Sequence, residues 1–559
     1  MMRPLRWCLA LLVLAANPGV RAQAPNPAPA AATPGNWQAS GDGGAVAAGG
    51  LGAVDAGIAT LRAGGNATDA AVATILALAV TDGTQFCFGG EVPILIHDAA
   101  TGTTEVIAGM GAAPALATLE HFQRPEGIPA KGLESAAVPA ALDACLVALE
   151  RHGTLTFARA AAPMLALLDQ HKEPWHADLA RTVRTLIEAE NQSPGDRRRG
   201  LRLVADAFYR GPIARRIDAW SREHGGLLRY HDLAKHFTRV EEPAAVTYRG
   251  HTILKCGPWT QGPSLLQALQ ILEGFDLAAM GHDSPDAVHT SVEALKLALA
   301  DRDAFFADPL FVDVPLDRLL KPTYAAARRA LIDPKTASLR LRPGDPWHDR
   351  PELDHPATPL GDPGARGTSD TTTCVVADRH GNLVAATPSG WSGVVAGNTG
   401  VWLGTRLQSF NAWPNHPNRI VPGKRPRITL TPTIVLDRNR APLLAISVAG
   451  GDNQEQMTLQ LVLNAIDFGL EPSASVTAPR WMSDHFIGSF RQAPPKPGGL
   501  RINPSYPAAT LATLQSRGHL LAPSATPLAA APVVISRNPT TGRLHAAGDP
   551  KAGRHASAY

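Results

Sequence analysis

The sequence predicts a protein of mixed helices and strands, organised as one large α/β unit or as two or three ordinary domains. Of the 559 residues, 45% are apolar and 18% are charged, which is enough for a sizeable core. Short apolar runs with the strand period occur among longer runs with helical spacing. The 51 Gly and 48 Pro residues fit many turns between these elements. A net charge of +3 is too small to favour nucleic acid as a partner, so we expect none.

The N-terminus has the pattern of a secretory signal peptide. Arg3 and Arg6 precede a short apolar run, and Val20 and Ala22 place small residues at the −3 and −1 positions. We therefore expect residues 1–22 to be a signal peptide, residues 23–40 to be an Ala- and Pro-rich linker, and the protein to be periplasmic or secreted. An N-terminal helix is the alternative. Neither this run nor any other is long enough to cross a bilayer, so we expect no membrane anchor.

The cysteines are scattered, and we expect them to be free. No spacing among them, or with His, is typical of a metal site, so we predict no metal. Cys8 lies in the expected signal peptide. The others are Cys87, Cys145, Cys256 and Cys374.

The elements can be placed in order from their apolar spacing. Val54–Ala63 and Asp69–Val80 are predicted helices, separated by Gly64-Gly65, and Asn66 or Thr68 can cap the second. A strand follows over Val92–Asp98. The later predicted helices lie within Leu133–Gln170, Leu179–Asp232, Leu265–Leu272, Ala294–Phe306 and Asn453–Phe468, and the later strands over Thr252–Cys256, Val401–Arg406, Arg427–Leu436 and Pro442–Ala449.

A hairpin stands near residue 380. Hydroxyl residues lead into an apolar run that ends at Asp378, a turn over residues 378–382 follows, and Leu383–Thr387 is the return strand. On its own, this is a Thr-rich strand edge. However, the preceding stretch Arg340–Gly367 is polar and rich in Pro and Gly, and it ends abruptly at the hairpin. A loop entering a strand that begins with Thr suits a hydrolase that cuts its own chain and uses the freed N-terminal hydroxyl as nucleophile.

The residues Asp370-Thr371-Thr372-Thr373-Cys374-Val375-Val376-Ala377-Asp378, followed by Gly381-Asn382, resemble the junction of the γ-glutamyltransferase family. The stretch Leu61–Ala73 is similar to a second family motif. Thr373 departs from the pattern, because the family usually has His there. The resemblance implies that Thr371 is the nucleophile and that the Asp370–Thr371 bond is cut.

The resemblance also implies the fold. It is the four-layer αββα sandwich of N-terminal nucleophile hydrolases, formed by a large fragment over residues 41–370 and a small one over residues 371–559. The fragments should stay associated after cleavage. The family's chemistry requires no cofactor.

Further catalytic residues can be assigned by the same resemblance. Gly450 and Gly451 stand between a strand and a helix, where backbone N–H groups can hold an oxyanion. Ser389 matches the family hydroxyl that hydrogen-bonds the nucleophile. Alone, the glycines could form an ordinary turn, and Ser389 after Pro388 could be a turn residue.

The expected substrate pocket departs most from the family. Met110 stands where γ-glutamyl enzymes have the Arg that binds the glutamyl carboxylate. Trp391, Arg406 and Ser409 occupy the positions that bind its α-amine, and Thr429 matches one of two pocket hydroxyls. Arg406 would repel an ammonium group but could serve a carboxylate from another direction.

The predicted function is therefore that of a self-processing amide hydrolase or acyltransferase. Its expected substrate is a small-molecule amide or peptide, either a γ-glutamyl compound similar to glutathione or a related amide. An acylase of the same fold acting on a non-glutamyl amide is one alternative. A catalytically inactive periplasmic binding protein is the other.

Overall fold

The structure is a computed structural model that describes residues 36–353, 370–524 and 530–559. The expected signal peptide, residues 23–35 of the linker and residues 354–367 of the polar loop lie outside these ranges. In the described part of the chain, no helix is long and apolar enough to cross a membrane.

Sheet I carries the predicted hairpin. Its strand order is β17-β2-β8-β9-β3-β4-β5, and every neighbouring pair is antiparallel. Numbered along the chain, its strands are β2 (Gly44–Ala48), β3 (Val92–Asp98), β4 (Thr103–Gly109), β5 (Arg239–Glu241), β8 (Cys374–Asp378), β9 (Leu383–Ala386) and β17 (His555–Ala558).

Sheet II has the order β1-β16-β15-β11-β10-β7-β6 and is also antiparallel throughout. A small third sheet has the order β12-β13-β14 and shares an apolar cluster with one face of sheet II. The strands of these two sheets are β1 (Gln38–Gly41), β6 (Ala244–Tyr248), β7 (His251–Lys255), β10 (Thr433–Leu436), β11 (Pro442–Ala449), β12 (Trp481–Ser483), β13 (Gly499–Ile502), β14 (Leu520–Pro523), β15 (Ala531–Arg537) and β16 (Leu544–Gly548).

Helices cover the outer face of each sheet. Those in the apolar cluster that covers sheet I are α1 (Leu51–Arg62), α2 (Ala67–Thr81), α4 (Ala141–His152), α5 (Phe157–Leu168), α6 (Pro174–Glu190), α7 (Arg197–Tyr209), α8 (Pro212–Glu223) and α9 (Tyr230–Ala234). Those in the apolar cluster that covers sheet II are α10 (Pro263–Leu272), α11 (Leu277–Met280), α12 (Pro285–Phe305), α14 (Pro322–Arg329), α15 (Asn453–Ile466), α16 (Pro472–Thr477) and α17 (Ala508–Ser516). The short α3 (Leu119–Phe122) and α13 (Leu316–Leu319) complete the set in the described ranges.

Strand alternation creates the layers, because successive side chains point to opposite faces of a sheet. In β8, Val376 joins the cluster under the helices, while Val375 joins the cluster between the sheets. In β10 of sheet II, Ile434 lies between the sheets and Val435 packs on helices. Both sheets are therefore covered on both faces, and the predicted four-layer αββα sandwich is confirmed.

Most predicted elements lie within a few residues of the observed ones. Asn66 caps α2 by accepting a hydrogen bond from the backbone N–H of Asp69, in a reciprocal capping box. Cys87, Cys145, Cys256 and Cys374 are buried and free, as predicted. The strand predicted over Arg427–Leu436 is shorter and begins at Thr433. Pro426 and Pro432 supply no backbone donor to a strand ladder, which agrees with the late start.

Candidate active site

Three strands of sheet I bring the predicted nucleophile and its neighbours to one edge. Thr371 precedes β8, Ser389 follows β9, and Glu91 precedes β3. Because β8, β9 and β3 are adjacent and antiparallel, these positions share one end of the sheet. Isolated bridges pair Ser389 with both Thr371 and Glu91.

Thr371 is buried beside Ser389 in the intact chain. Only 3% of Thr371 is exposed, and its Oγ1 lies 3.0 Å from the Ser389 Oγ. The backbone N–H of Thr372 donates to the Pro388 carbonyl over 2.9 Å. The sheet edge thus fixes the hydroxyl next to the peptide bond that joins Asp370 to Thr371.

The carbonyl oxygen of Asp370 accepts two hydrogen bonds. One comes from the Ser389 hydroxyl and the other from the Gly390 N–H over 3.1 Å. Gly390 has φ of 109°, which L side chains rarely adopt, and a Cβ there would lie 3.0 Å from a Glu91 carboxylate oxygen. Two donors on the carbonyl of a peptide bond are what stabilise a tetrahedral oxyanion at that carbon.

The roles of the two hydroxyls follow from counting protons. Ser389 Oγ accepts a hydrogen bond from Arg406 Nη2 over 2.7 Å and donates its own proton to the Asp370 carbonyl. A hydroxyl has one proton to donate and two lone pairs that accept. Thr371 must therefore donate to Ser389, so a path for its proton leads directly to the Asp370 carbonyl oxygen.

A buried charge cluster supports this pair. Arg406 lies in the short turn Arg406–Ser409 and is wholly buried. Its Nε lies 2.6 Å from a Glu91 oxygen, and its Nη2 lies 3.4 Å from the Asp370 carboxylate. The Thr405 hydroxyl also donates to the Asp370 carboxylate. One guanidinium thus faces two buried carboxylates.

The pKa values of this cluster reflect the presence of two buried carboxylates beside a single guanidinium. Burial raises the pKa of Glu91 to about 7, and Asp370 adds to the rise, although Arg406 opposes it. For Arg406, burial works against the charge, but the two carboxylates outweigh it and raise the pKa. Arg406 therefore stays charged while Glu91 titrates near neutral pH.

The glycine turn lies at the end of β11 in sheet II. Gly450 and Gly451 have φ of 138° and 56°. Within the described ranges, no group accepts a hydrogen bond from either N–H. A hydrogen bond of 2.9 Å between Thr387 and Ser447 joins the adjoining parts of β9 and β11. The turn therefore offers two free donors near the edge that carries Thr371.

Buried polar groups hold this turn in place. Gln261 Nε2 donates to the carbonyls of Thr429 and Gly451, over 3.3 Å each. Arg302 Nη1 donates to Gln261 Oε1 over 2.9 Å and to the Asp452 carboxylate over 2.6 Å. The glycine N–H groups are thus oriented by groups that lie behind the turn.

The other predicted pocket residues make contacts of their own. Trp391 stacks on Trp402, with ring centroids 4.1 Å apart. Ser409 is buried, and its carbonyl accepts from Asn418. Met110 follows β4 at the same sheet edge, but it lines a cavity of about 370 Å³ that neither Thr371 nor Ser389 lines. Arg406 is thus the predicted pocket residue that contacts Ser389.

A cleft of about 610 Å³ opens next to the Arg406 turn. Its lining comes from residues 122–128, from Gln408, Phe410 and Trp413, and from Arg491, whose backbone N–H donates to the Gln408 carbonyl. The neighbouring Phe490 ring lies 3.0 Å from the point where a Cβ on Gly451 would stand. The cleft is therefore lined by the segment that follows the Arg406 turn and by the loop that backs the glycine turn, together with residues 122–128.

A group of potential metal ligands stands elsewhere in the fold and does not fit a metal. His289, Glu293 and His519 are buried close together. The two rings already share a hydrogen bond of 2.9 Å, and Glu293 pairs with Lys296 over 2.5 Å and with Arg342 over 3.5 Å. Lys296 and Arg342 already neutralise Glu293 and would repel a metal cation. The three residues therefore form a structural hydrogen-bonding network.

Several residues of the site could not be identified from the sequence. Glu91, Thr405 and Gln261 gave no motif signal of their own. A usable signal for Glu91 was its position, a carboxylate between Gly-Gly and a wholly apolar strand start. A buried carboxylate is stabilised by a paired cation or by protonation, and the paired cation of Glu91 is Arg406.

Comparisons with known proteins agree with this geometry. The family model described as gamma-glutamyltranspeptidase matches residues 53–173 and 172–559. The chain is 32% identical to the acylase ACY 1 proenzyme of Pseudomonas sp. strain SE83, over 83% of this chain and 84% of that one. It is 29% identical to the glutathione hydrolase-like YwrD proenzyme of Bacillus subtilis, over 84% and 89% respectively.

The fold comparison gives the same result. The crystal structure of a cephalosporin acylase from Bacillus halodurans superposes with a TM-score of 0.77 at 27% identity, covering 98% of this chain and 99% of that one. The family model, the relatives and the fold therefore all indicate the same family, and the hydroxyl pair and the glycine turn fit its chemistry. The chain belongs to the γ-glutamyltranspeptidase family and is a self-processing amide hydrolase of that type.

Proposed function

We propose that the chain cuts its own Asp370–Thr371 bond and then uses Thr371 to transfer the acyl group of an amide to water or to an amine. The observation that carries this proposal is the position of Ser389. Its hydroxyl touches both the Thr371 hydroxyl and the carbonyl oxygen of the bond to be cut.

Self-cleavage then needs no external base. Thr371 Oγ attacks the Asp370 carbonyl carbon and passes its proton to Ser389, while the Ser389 proton moves to the carbonyl oxygen. Arg406 and the Gly390 N–H stabilise the developing charge. The hydroxyl proton on the tetrahedral carbon then passes to the leaving nitrogen as the C–N bond breaks, which re-forms the C=O bond as an ester on Thr371 and releases its α-amine. Water hydrolyses the ester, so Asp370 becomes the new C-terminus.

The mature cycle repeats this chemistry on a substrate. The freed α-amine takes the proton as Thr371 Oγ attacks an amide carbonyl. The N–H groups of Gly450 and Gly451 hold the oxyanion, the amine leaves, and water or an acceptor amine takes the acyl group. The site needs no cofactor for these steps.

The two fragments should remain associated, because both sheets contain strands from each. In sheet I, β2 from residues 41–370 lies between β17 and β8 from residues 371–559. In sheet II, β10 of the small fragment pairs with β7 of the large one. Separating the fragments would break both sheets.

Two classes of acyl group have support as the substrate's acyl group, namely γ-glutamyl and non-glutamyl. Glutathione hydrolases and an acylase both stand among the relatives. The resemblance assigns Trp391 to the γ-glutamyl clamp, and its uncharged ring favours the acylase alternative, whereas Met110 lines a separate cavity and gives no support to either candidate. The inactive binding protein is disfavoured by the intact hydroxyl pair. We also propose export to the periplasm or beyond, on the N-terminal sequence alone.

The direct test is electrophoresis of the purified protein under denaturing conditions, with mass spectrometry, beside Thr371→Ala. We expect two fragments, the smaller beginning at Thr371, and an intact Thr371→Ala chain. A single uncut chain in both samples would contradict the proposal.

A further inference from the structure

We propose that Arg302 is a positioning residue of the mature reaction, acting on the glycine turn through Gln261 and Asp452, and that it has no part in self-cleavage. This inference rests on the proposed function, since it takes the N–H groups of Gly450 and Gly451 as the donors to the substrate's oxyanion. Arg302 and Gln261 belong to the large fragment and the turn belongs to the small one, so both fragments build the oxyanion site.

The glycine turn needs support from its surroundings because its own backbone is free to rotate. Gly450 and Gly451 have φ of 138° and 56°, and glycine has no side chain that limits either angle. The start of α15 holds both carbonyls from one side, since the Asn453 N–H donates to Gly450 over 3.0 Å and the Gln454 N–H donates to Gly451 over 3.1 Å. The Gly451 N–H shares a peptide plane with the Gly450 carbonyl, so a turn with fixed carbonyls also has fixed donors.

Gln261 holds the turn from the other side. Its amide nitrogen donates to the carbonyls of Gly451 and Thr429, over 3.3 Å each. Only the nitrogen of an amide can donate, so the orientation of the amide decides whether these bonds exist. Arg302 Nη1 donates to the Gln261 oxygen over 2.9 Å, which keeps the nitrogen facing Gly451. Both side chains are wholly buried, where a reversed amide would lose its hydrogen bonds without replacement.

The same guanidinium clamps two parts of the small fragment around the turn. Nη1 donates to the carboxylate of Asp452, which directly follows the glycines, and Nη2 donates to the Ile487 carbonyl, over 2.6 Å each. Asp452 also accepts from the Ser489 N–H over 2.9 Å, and the adjacent Phe490 packs against Gly451. A planar cation thus makes three hydrogen bonds in fixed directions, which the single ammonium group of a Lys does not reproduce.

Self-cleavage uses other donors. The Asp370 carbonyl is held by the Ser389 hydroxyl and the Gly390 N–H. Among the residues that the structure describes, no side-chain hydrogen bond of Arg302 or Gln261 reaches these groups. Loss of the Arg302 contacts should therefore slow the mature reaction alone, whereas general damage to the fold would slow both reactions.

The test measures both reactions in Arg302→Lys and in Gln261→Glu. Lys keeps the charge without the planar fork, and Glu keeps the shape and the pair with Arg302 but has no proton to donate to Gly451. We expect kcat for anilide hydrolysis to fall by roughly 10- to 100-fold and KM to change by less than about threefold, because oriented donors act on the transition state. The fragment that begins at Thr371 should appear at the wild-type rate.

Three substrates cover the possible acyl groups. The γ-glutamyl and phenylacetyl p-nitroanilides represent the two classes proposed above. The third is p-nitrophenyl acetate, an activated ester whose small acyl group fits any acyl pocket, with the Thr371→Ala chain as its background. Mass spectrometry of the small fragment locates the acetyl group, and the acylation rate is the readout if neither anilide is cleaved.

Two substitutions of the same kind serve as controls. Arg249→Lys changes an arginine that pairs with Asp467 over 3.2 Å at the other end of α15. Gln460→Glu changes a buried glutamine whose amide donates to the carbonyls of Gln456 and Trp481, over 2.9 Å each. Neither side chain hydrogen-bonds to the glycine turn, so both controls should keep the wild-type kcat even if their thermal midpoints fall as far as those of the site variants.

The outcomes separate this inference from the proposed function. If no wild-type fragment begins at Thr371, or if that fragment forms and p-nitrophenyl acetate does not acetylate Thr371, the proposed function fails. If Thr371 is acetylated but both site variants keep the wild-type rates of acylation and hydrolysis, the positioning role of Arg302 alone is wrong. It is also wrong if the site variants lose self-cleavage in the same proportion as hydrolysis.

Discussion

At the scale of single residues, the Ser389 hydroxyl is where the chemistry converges. It contacts the nucleophile, a guanidinium and the carbonyl of the bond to be cut. From the sequence, the resemblance could assign its contact with Thr371. The contacts with Arg406 and Asp370 could not be inferred, because they join residues 17 and 19 positions away in the chain.

Replacing Ser389 by Ala should slow self-cleavage by about 100-fold or more, because one donor to the carbonyl and the proton path are both lost. Ser389→Thr keeps the hydroxyl and should cleave at a rate close to wild type. The rate is measured as the appearance of the fragment that begins at Thr371, with the exposed Ser505→Ala as the control. If Ser389→Ala cleaves as fast as wild type, the proton path is wrong.

Glu91 should make the intact chain less stable as the pH rises. Burial raises its pKa to about 7, from an ordinary value of 4.5. A pKa raised in the folded state means that the stabilising contribution is complete below about pH 4.5 and is lost as the pH rises through about 7. The loss is at most about 3 kcal/mol for such a change.

The measurement is the thermal midpoint of Thr371→Ala between pH 4.5 and 8, with and without Glu91→Gln. Burial also raises the pKa of Glu455 to about 7. The thermal midpoint should therefore still fall with rising pH in the Glu91→Gln chain, but less steeply. We expect a shallower fall in the Glu91→Gln chain than in a control with the exposed Glu471→Gln. Parallel slopes would show that Glu91 does not titrate in this range.

At the scale of elements, the site is made of strand ends. The hairpin β8–β9 could be predicted because its apolar runs flank a Gly-Asn turn. The convergence of Glu91, Thr371 and Ser389 could not, because it depends on β3 being the neighbour of β9, and strand order is a tertiary property. The strand predicted from Arg427 is the clearest error, since buried irregular backbone there looks like a strand in sequence.

Ser389 and Gly390 donate to the carbonyl of the bond that is cut, whereas Gly450 and Gly451 are proposed to donate to the substrate carbonyl. One substitution should distinguish these two pairs of donors. Gly451→Ala should be strained at φ of 56° and should press on the Phe490 ring. We expect anilide hydrolysis by the mature enzyme to fall by about 10- to 100-fold. Self-cleavage should keep its wild-type rate, because the Asp370 carbonyl is held by Ser389 and Gly390.

Gly469→Ala is the matched control for Gly451→Ala, because it has φ of 66° and no atom within 4 Å of the added Cβ. It carries similar backbone strain away from the site. If Gly451→Ala slows both reactions equally, the two carbonyls share one oxyanion site and the proposed division is incorrect.

At the scale of the whole molecule, the four layers could be predicted only through the family resemblance. Apolar spacing gave helices and strands, but not the stacking of two sheets. Small side chains such as Ala45, Ala47 and Ala385 meet residues of sheet II in the cluster between the sheets. Their alternation with Val46 and Val384, which face helices, is a pattern that also suits a single sheet.

The interleaved sheets predict that cleavage leaves the size of the native particle unchanged. The cut protein and Thr371→Ala should elute together in gel filtration under native conditions, and two fragments should separate only in denaturant. Release of the small fragment without denaturant would show that the shared sheets do not hold the fragments together.

The interleaving also changes the reaction order of folding. Before the cut, residues on either side of position 370 are parts of one molecule, and renaturation is first order in protein. After the cut, sheets I and II can each re-form only when two separate molecules meet, so recovery from denaturant becomes second order and falls on dilution. Recovery of the cut protein that does not depend on concentration would contradict this. Maturation thus removes the covalent link that keeps renaturation first order, and the persistence of the active enzyme then depends on how slowly it unfolds.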